Sequence, residues 1–126
     1  MYSHIVVGSN DLQKSKQFYD AVFTALGGGP GTDMGTRVAY SHNGSNFMVT
    51  APIDGQAATH ANGGTIGFAA KDGDQVTAWH DAGVANGGTS IEDPPGVRDH
   101  GFAKMYLAYL RDPDGNKLCA MHVLGQ

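Results

Sequence analysis

In "SHIVVGSNDLQKSKQFYDAVFTALGG" the apolar positions change period. Ile5, Val6 and Val7 form a short β-branched run, and Leu12, Tyr19, Val22, Phe23 and Leu26 then recur at helical spacing. The spacing predicts a strand and then a helix, with Asp11 as N-cap and Gly27 at the C-terminal stop. The same switch returns at "TIGFAA", followed by Asp72 or Asp74 as cap and a shorter helix holding Val76 and Trp79. A shift of 61 residues lays Asp11 on Asp72, Phe18 on Trp79, Asp20 on Asp81, Ala21 on Ala82 and Gly27 on Gly88. Each helix is followed by strand material broken by an Asx-Gly hairpin signal. "RVAYSH", Asn43-Gly44 and "NFMVTA" come first; "KMYLAYLR", Asp114-Gly115 and "KLCAMH" come second. These turns align at a shift of 71, the extra residues falling in "EDPPGVRDHG", read as a loop. The chain is therefore read as one domain, 1–126, of two βαβββ units, 1–52 and 65–126, joined by a Gly/Ala-rich linker at 53–64.

Composition narrows the partners. The 126 residues are 40% hydrophobic and 16% charged with a net charge of -4, which suits a globular domain with a core of its own. No basic cluster offers the footprint that nucleic acid or an anionic membrane needs, and no apolar run suggests a span. The lone cysteine forms no intrachain disulfide and the start shows no export signal, so the cytoplasm is expected. Most of the 19 glycines punctuate elements. "GGGPG" follows a helix and lacks the lysine of a phosphate loop.

With "HIVVGSNDLQKSKQFYDAV" near one end and "YLRDPDGNKL" near the other, the chain resembles the vicinal oxygen chelate superfamily, which contains glyoxalase I, the bleomycin resistance proteins and the extradiol dioxygenases. The resemblance implies an α+β fold in which paired βαβββ modules with curled mixed sheets form a U-shaped cleft, usually completed by a second subunit, so a homodimer is expected.

Strand parity divides the side chains. Ile5, Val7, Phe47, Val49, Ile66, Phe68 and Leu118 make one large apolar set, expected beneath the helices. His4, Val6, Met48, Thr50, Thr65, Gly67, Cys119 and Met121 make the other, expected to face the cleft. The two shifts lay His4 on Thr65 and Met48 on Cys119, so these four are expected to share one hollow. In metal-dependent members such positions carry histidine and carboxylate ligands, and only His4 keeps to that pattern. A thioether, a hydroxyl and a thiol suit a hard divalent ion poorly, so no metal or other cofactor is expected.

Cys119 is weighed as a nucleophile beside His4 against a small apolar residue filling a strand; with no third orienting group evident, packing is favoured. His4 is the candidate base, and equally a binding or merely hydrogen-bonded residue. His42 and His80 are read as surface residues, and His60 lies in the linker. Arg98 and His100 are candidates to clamp an anion and pass a proton, Met121 with Met48 offers adaptable apolar surface, and Tyr106 would stack on a planar ligand if it turned inward. Asp112 and Asp114 in "DPDG" read as turn caps. Two functions compete: a glyoxalase-like lyase or isomerase acting on a small organic molecule with altered metal dependence, and a non-catalytic binding or sequestration protein of the bleomycin-resistance kind.

Overall fold

The computed structural model describes residues 1–125. The first unit runs β1 (His4–Gly8), α1 (Leu12–Ala25), β2 (Thr32–Asp33), β3 (Arg37–His42) and β4 (Ser45–Thr50). The second runs β5 (Ile66–Ala69), α2 (Gly73–Ala85), β6 (Thr89–Asp99), β7 (Lys104–Arg111) and β8 (Lys117–Gly125). Each builds one mixed four-stranded sheet of the same order, β1-β4-β3-β2 and β5-β8-β7-β6, with the first and last strands parallel and neither sheet closed. The fold is α+β, as the repeat predicts.

Local signals act where the sequence puts them. Asp11 caps α1 by accepting from the N–H groups of Gln13 and Lys14, and Gly27 just beyond the helix takes φ +90°, which a glycine adopts freely. Of the two candidate caps for α2 it is Asp72 that accepts from Gln75 N–H, while Asp74 lies in the first turn. The hairpin at Asn43-Gly44 has φ of 50° and 80°, both on the left-handed side, as a two-residue turn of matching twist requires. One expectation is corrected. "EDPPGVRDHG" is mostly strand, because β6 continues through it, and the extra residues form a bulge between Ile91 and Gly96 where the pairing with β7 shifts register.

The large apolar set lies beneath the helices. Val7, Phe47, Val49 and Leu118 belong to the core, with Ile5, Ile66 and Phe68 packed against it. That core is continuous between the units. Phe18, Tyr19 and Val22 of α1 and Val76 and Trp79 of α2 are fully buried in it, each side chain contributing about 1.5–3 kcal/mol by leaving water. Helix α1 packs on α2, and each helix packs on its own sheet. The helices are therefore an inner layer, and the other face of each sheet points outward.

A polar knot closes the same interface. Asp112, in the turn between β7 and β8, is buried without a cation; its carboxylate accepts from Tyr19 Oη (2.6 Å), Asn116 Nδ2 (2.8 Å) and the N–H groups of Asp114 and Asn116 (2.9 Å each). Four donors offset the loss of hydration that an isolated buried carboxylate would suffer. The neighbouring Asp114 accepts from Asn10 N–H (2.9 Å) and Ser15 Oγ (3.2 Å), tying the last hairpin to the start of α1. Asp112 caps its turn, as its setting in "DPDG" predicts, whereas Asp114 does not cap the turn but reaches across to Asn10 and Ser15.

Candidate functional site

The predicted site residues do not gather in one place. On the outward face of the first sheet, His4 and Val6 of β1 stand beside Asn46 and Met48 of β4. His4 is exposed and its Nδ1 lies 2.8 Å from Ser3 Oγ; Met48 is half-buried. On the outward face of the second sheet, Cys119 lies opposite Tyr109 and beside Gly67, and Met121 opposite Leu107. Cys119 packs with Met105 and Leu107 in a small apolar cluster, separate from the main core, with Tyr109 against it. Arg98, paired with Met105, shares this face. Its Nη2 donates to the carbonyls of Asp93 (3.0 Å) and Pro94 (2.9 Å), so the guanidinium braces the bulge of β6. His100 stands beyond β6, exposed and stacked on Phe102.

Tyr106 does not turn outward. It has the parity of Ala108 and Leu110 and lies under α2, its hydroxyl 3.2 Å from Thr77 Oγ1. The single hollow expected for His4, Met48, Thr65 and Cys119 is not formed within the chain, because the two sheets are joined through their helix-bearing faces. His4 and Thr65 do border a common cavity, and Met48 and Cys119 do not line it.

That cavity, about 500 Å³, lies in the seam between the units and went unforeseen. Its walls are core side chains: Phe23 and Leu26 of α1, Tyr40 and Phe47 of the first sheet, Ile66 and Phe68 of β5. The rings of Phe23, Phe47 and Phe68 meet one another at centroid distances of 5.2–5.6 Å. Its rim is exposed and neutral, carrying Ser41, Asn43, Ser45, Asn46 and Thr65 with His4. His42, expected on the surface, is half-buried and lines it, with Nε2 3.2 Å from the Leu26 carbonyl at the end of α1. The aromatic spacing Phe23, Tyr40, Phe47 and Phe68 is visible in sequence, but nothing there distinguishes filled core from core with a gap.

Burial also sets the chemistry of the thiol. Desolvation, aided by the carboxylate of Glu92, pushes Cys119 up from an ordinary value near 9 to about 11. Its Sγ contacts the Ala120 carbonyl at 3.6 Å. The neighbouring Lys117 is paired with Glu92 and lies over the Tyr109 ring, 5.0 Å from its centroid.

A family model described as Glyoxalase/Bleomycin resistance protein/Dioxygenase superfamily matches residues 2–120. The chain belongs to this superfamily. Among solved structures of the superfamily, it is 56% identical to a glyoxalase/bleomycin resistance protein from Albidiferax ferrireducens T118, covering 97% of this chain and 98% of that one, with a TM-score of 0.94. A glyoxalase-related enzyme from Fulvimarina pelagi (22% identity, 96% and 86% covered, TM-score 0.74) shares the fold. So does a superfamily enzyme from Burkholderia phytofirmans PsJN (18%, 97% and 98%, TM-score 0.73). No curated protein matches the chain.

The superfamily's metal chemistry requires hard oxygen and imidazole donors held together. Here the corresponding residues are an imidazole, a thioether, a hydroxyl and a protonated thiol split between two outward faces, and among the described residues no three His, Cys, Asp or Glu side chains are grouped to hold an ion. One imidazole with a thioether, a hydroxyl and a protonated thiol suits a hard divalent ion poorly.

Proposed function

We propose that this superfamily member binds a small organic molecule without divalent-metal chemistry, as a non-catalytic binding protein. The observation that carries this reading is the seam cavity, apolar within and polar at its rim, in a chain whose remaining ligand-type side chains do not assemble. Cys119 supports it from another side: a thiol held protonated by burial, with no histidine among its hydrogen-bond partners, lacks the base that an activated nucleophile uses. The unpaired edges of β1 and β5 and the exposed Val6, Met121, Val123 and Leu124 favour a homodimer, in which outward faces of two copies would combine. A lone thiol suits the reducing cytoplasm, and among the described residues no helix is long and apolar enough to cross a membrane.

The competing reading is a glyoxalase-like lyase with His4 as base, favoured by the exposure of that imidazole at the cavity rim. Turnover of a hemithioacetal and carbonyl panel, with and without Mg²⁺, Zn²⁺, Ni²⁺ and Mn²⁺, should stay at the buffer rate. A thermal-shift screen of neutral small molecules should raise the melting temperature by mass action. Metal-stimulated turnover abolished by His4→Ala would reverse the assignment.

A further inference from the structure

The seam cavity states what kind of molecule it takes. Its inner wall is formed by the half-buried ring of Phe68 and the small exposed portions of the otherwise buried Phe23, Tyr40 and Phe47, an aromatic lining that suits a flat aromatic guest through offset and edge-to-face contacts. Its volume of about 500 Å³ lies within the range of small-ligand sites and well above the roughly 150 Å³ that accepts benzene, leaving room for two fused rings or more.

Charge is what the lining lacks. None of the residues bordering the cavity is Asp, Glu, Lys or Arg, so a carboxylate, phosphate or ammonium entering it would give up hydration with only the imidazoles of His4 and His42 to meet it. Its inner polar group is His42. The Leu26 carbonyl at the end of α1 can only accept, so His42 Nε2 meets it as donor (3.2 Å), and Asn43 Nδ2, also 3.2 Å from Nε2, is then a contact between two donors and not a hydrogen bond. That tautomer leaves Nδ1 a free acceptor, and no hydrogen bond reaches it among the described residues. The ring lies against Gly28, where a Cβ would make ordinary contact with Nδ1 at 3.5 Å and crowd the Phe23 carbonyl at 3.1 Å.

We infer that the seam between the two units is a binding site for a neutral, planar, fused-ring aromatic molecule that carries one hydroxyl or ring N–H, donated to Nδ1 of His42. The inference deepens the small-molecule reading above and rests on it. The site opens in the seam, with His4, Asn46 and Thr65 of outward parity at its rim, and Met48, Cys119 and Met121 do not line it.

The test uses the full chain and four probes of similar size: 2-naphthol, naphthalene, 2-naphthoate and trans-2-decalol. Calorimetric titration should rank 2-naphthol first, with naphthalene weaker by about fivefold for want of the hydrogen bond and 2-naphthoate weaker by more than about tenfold for its uncompensated charge. The decalol, non-planar but equally able to donate, should fall below 2-naphthol. His42→Ala should remove the difference between 2-naphthol and naphthalene, and Thr65→Trp, at an exposed rim position outside the core, should weaken both. Amide chemical-shift changes on adding 2-naphthol should centre on Ile66, Phe68 and His42. Equal binding of 2-naphthoate, or a ranking that His42→Ala leaves intact, would overturn the inference. Shifts centred on Leu107 and Cys119 instead would overturn it while leaving small-molecule binding in place; silence from all four probes would refute the seam site, and the wider screen then decides the binding reading alone.

Discussion

Cys119 and Asp20 show how single side chains set the response to pH. The folded chain holds the Cys119 proton more tightly than an unfolded thiol does, since burial lifts it to about 11. This group therefore leaves stability unchanged below about pH 9 and costs stability as pH climbs from there towards 11. Tyr109, raised by burial and by the Cys119 thiolate, acts in the same direction. At pH 8 only about one thiol in a thousand would be ionised, so alkylation by iodoacetamide should be far slower than in urea-unfolded chain, and Cys119→Ala should flatten the stability profile above pH 9. Normal labelling rates in the folded state would contradict the burial. Asp20 is the opposite case: burial alone would raise it, but Gly31 N–H (2.8 Å), Lys16 Nζ (2.7 Å) and Tyr40 Oη (2.7 Å) together lower it. Its contribution is present above the ordinary value near 3.8 and lost as pH falls below it. Asp20→Ala takes the carboxylate from all three donors and should cost about 1–3 kcal/mol in urea denaturation at pH 7, and measurably less at pH 3.

At Gly83, helix α2 packs closely on both β7 and α1. A Cβ at Gly83 would collide with Leu110 Cδ1 and come within 3.2 Å of Phe18 and Val22, so the helices approach through a missing side chain. Gly83→Ala should gain up to about 1 kcal/mol of helix propensity and lose about 1–3 kcal/mol to overpacking. The net loss in chemical denaturation should shrink when Leu110→Val is added; a stabilised Gly83→Ala would mean the crossing relaxes freely. At this scale much was legible. Strand parity sorted Phe47, Val49 and Leu118 into the core, and Asp11 and Asp72 announced their helices, because those signals act over a few residues. Parity was mute in β7, where both sets, Met105, Leu107 and Tyr109 against Tyr106, Ala108 and Leu110, are apolar, so the side Tyr106 takes follows only from its neighbour Thr77. Pro94 and Pro95 read as loop because proline weakens an interior strand, whereas β6 is the edge of its sheet and tolerates them at the bulge.

Across the whole molecule, the repeat revealed two units but not how they face each other, since nothing in a local pattern records that two helices will share one interior. For that reason the four repeat-related positions were expected in one hollow, and the cavity in the seam was invisible. What fastens the units is the buried Asp112, reached by Tyr19 from across the interface. Tyr19→Phe withdraws one of its four donors and should cost about 1.5–3 kcal/mol. Asp112→Asn should cost stability as well despite its shape, because an amide nitrogen turned towards Asn116 Nδ2 sets donor against donor; guanidinium melts that match wild type would show the knot to be idle. Asn10 and Asp114, 104 positions apart, meet beside it. Closing so long a span is entropically slow, and until it closes Ser15 and the amide of Asn10 lack their acceptor. A growing polypeptide would thus carry its first half still waiting, vulnerable to proteases, for a turn that is translated 104 positions after Asn10.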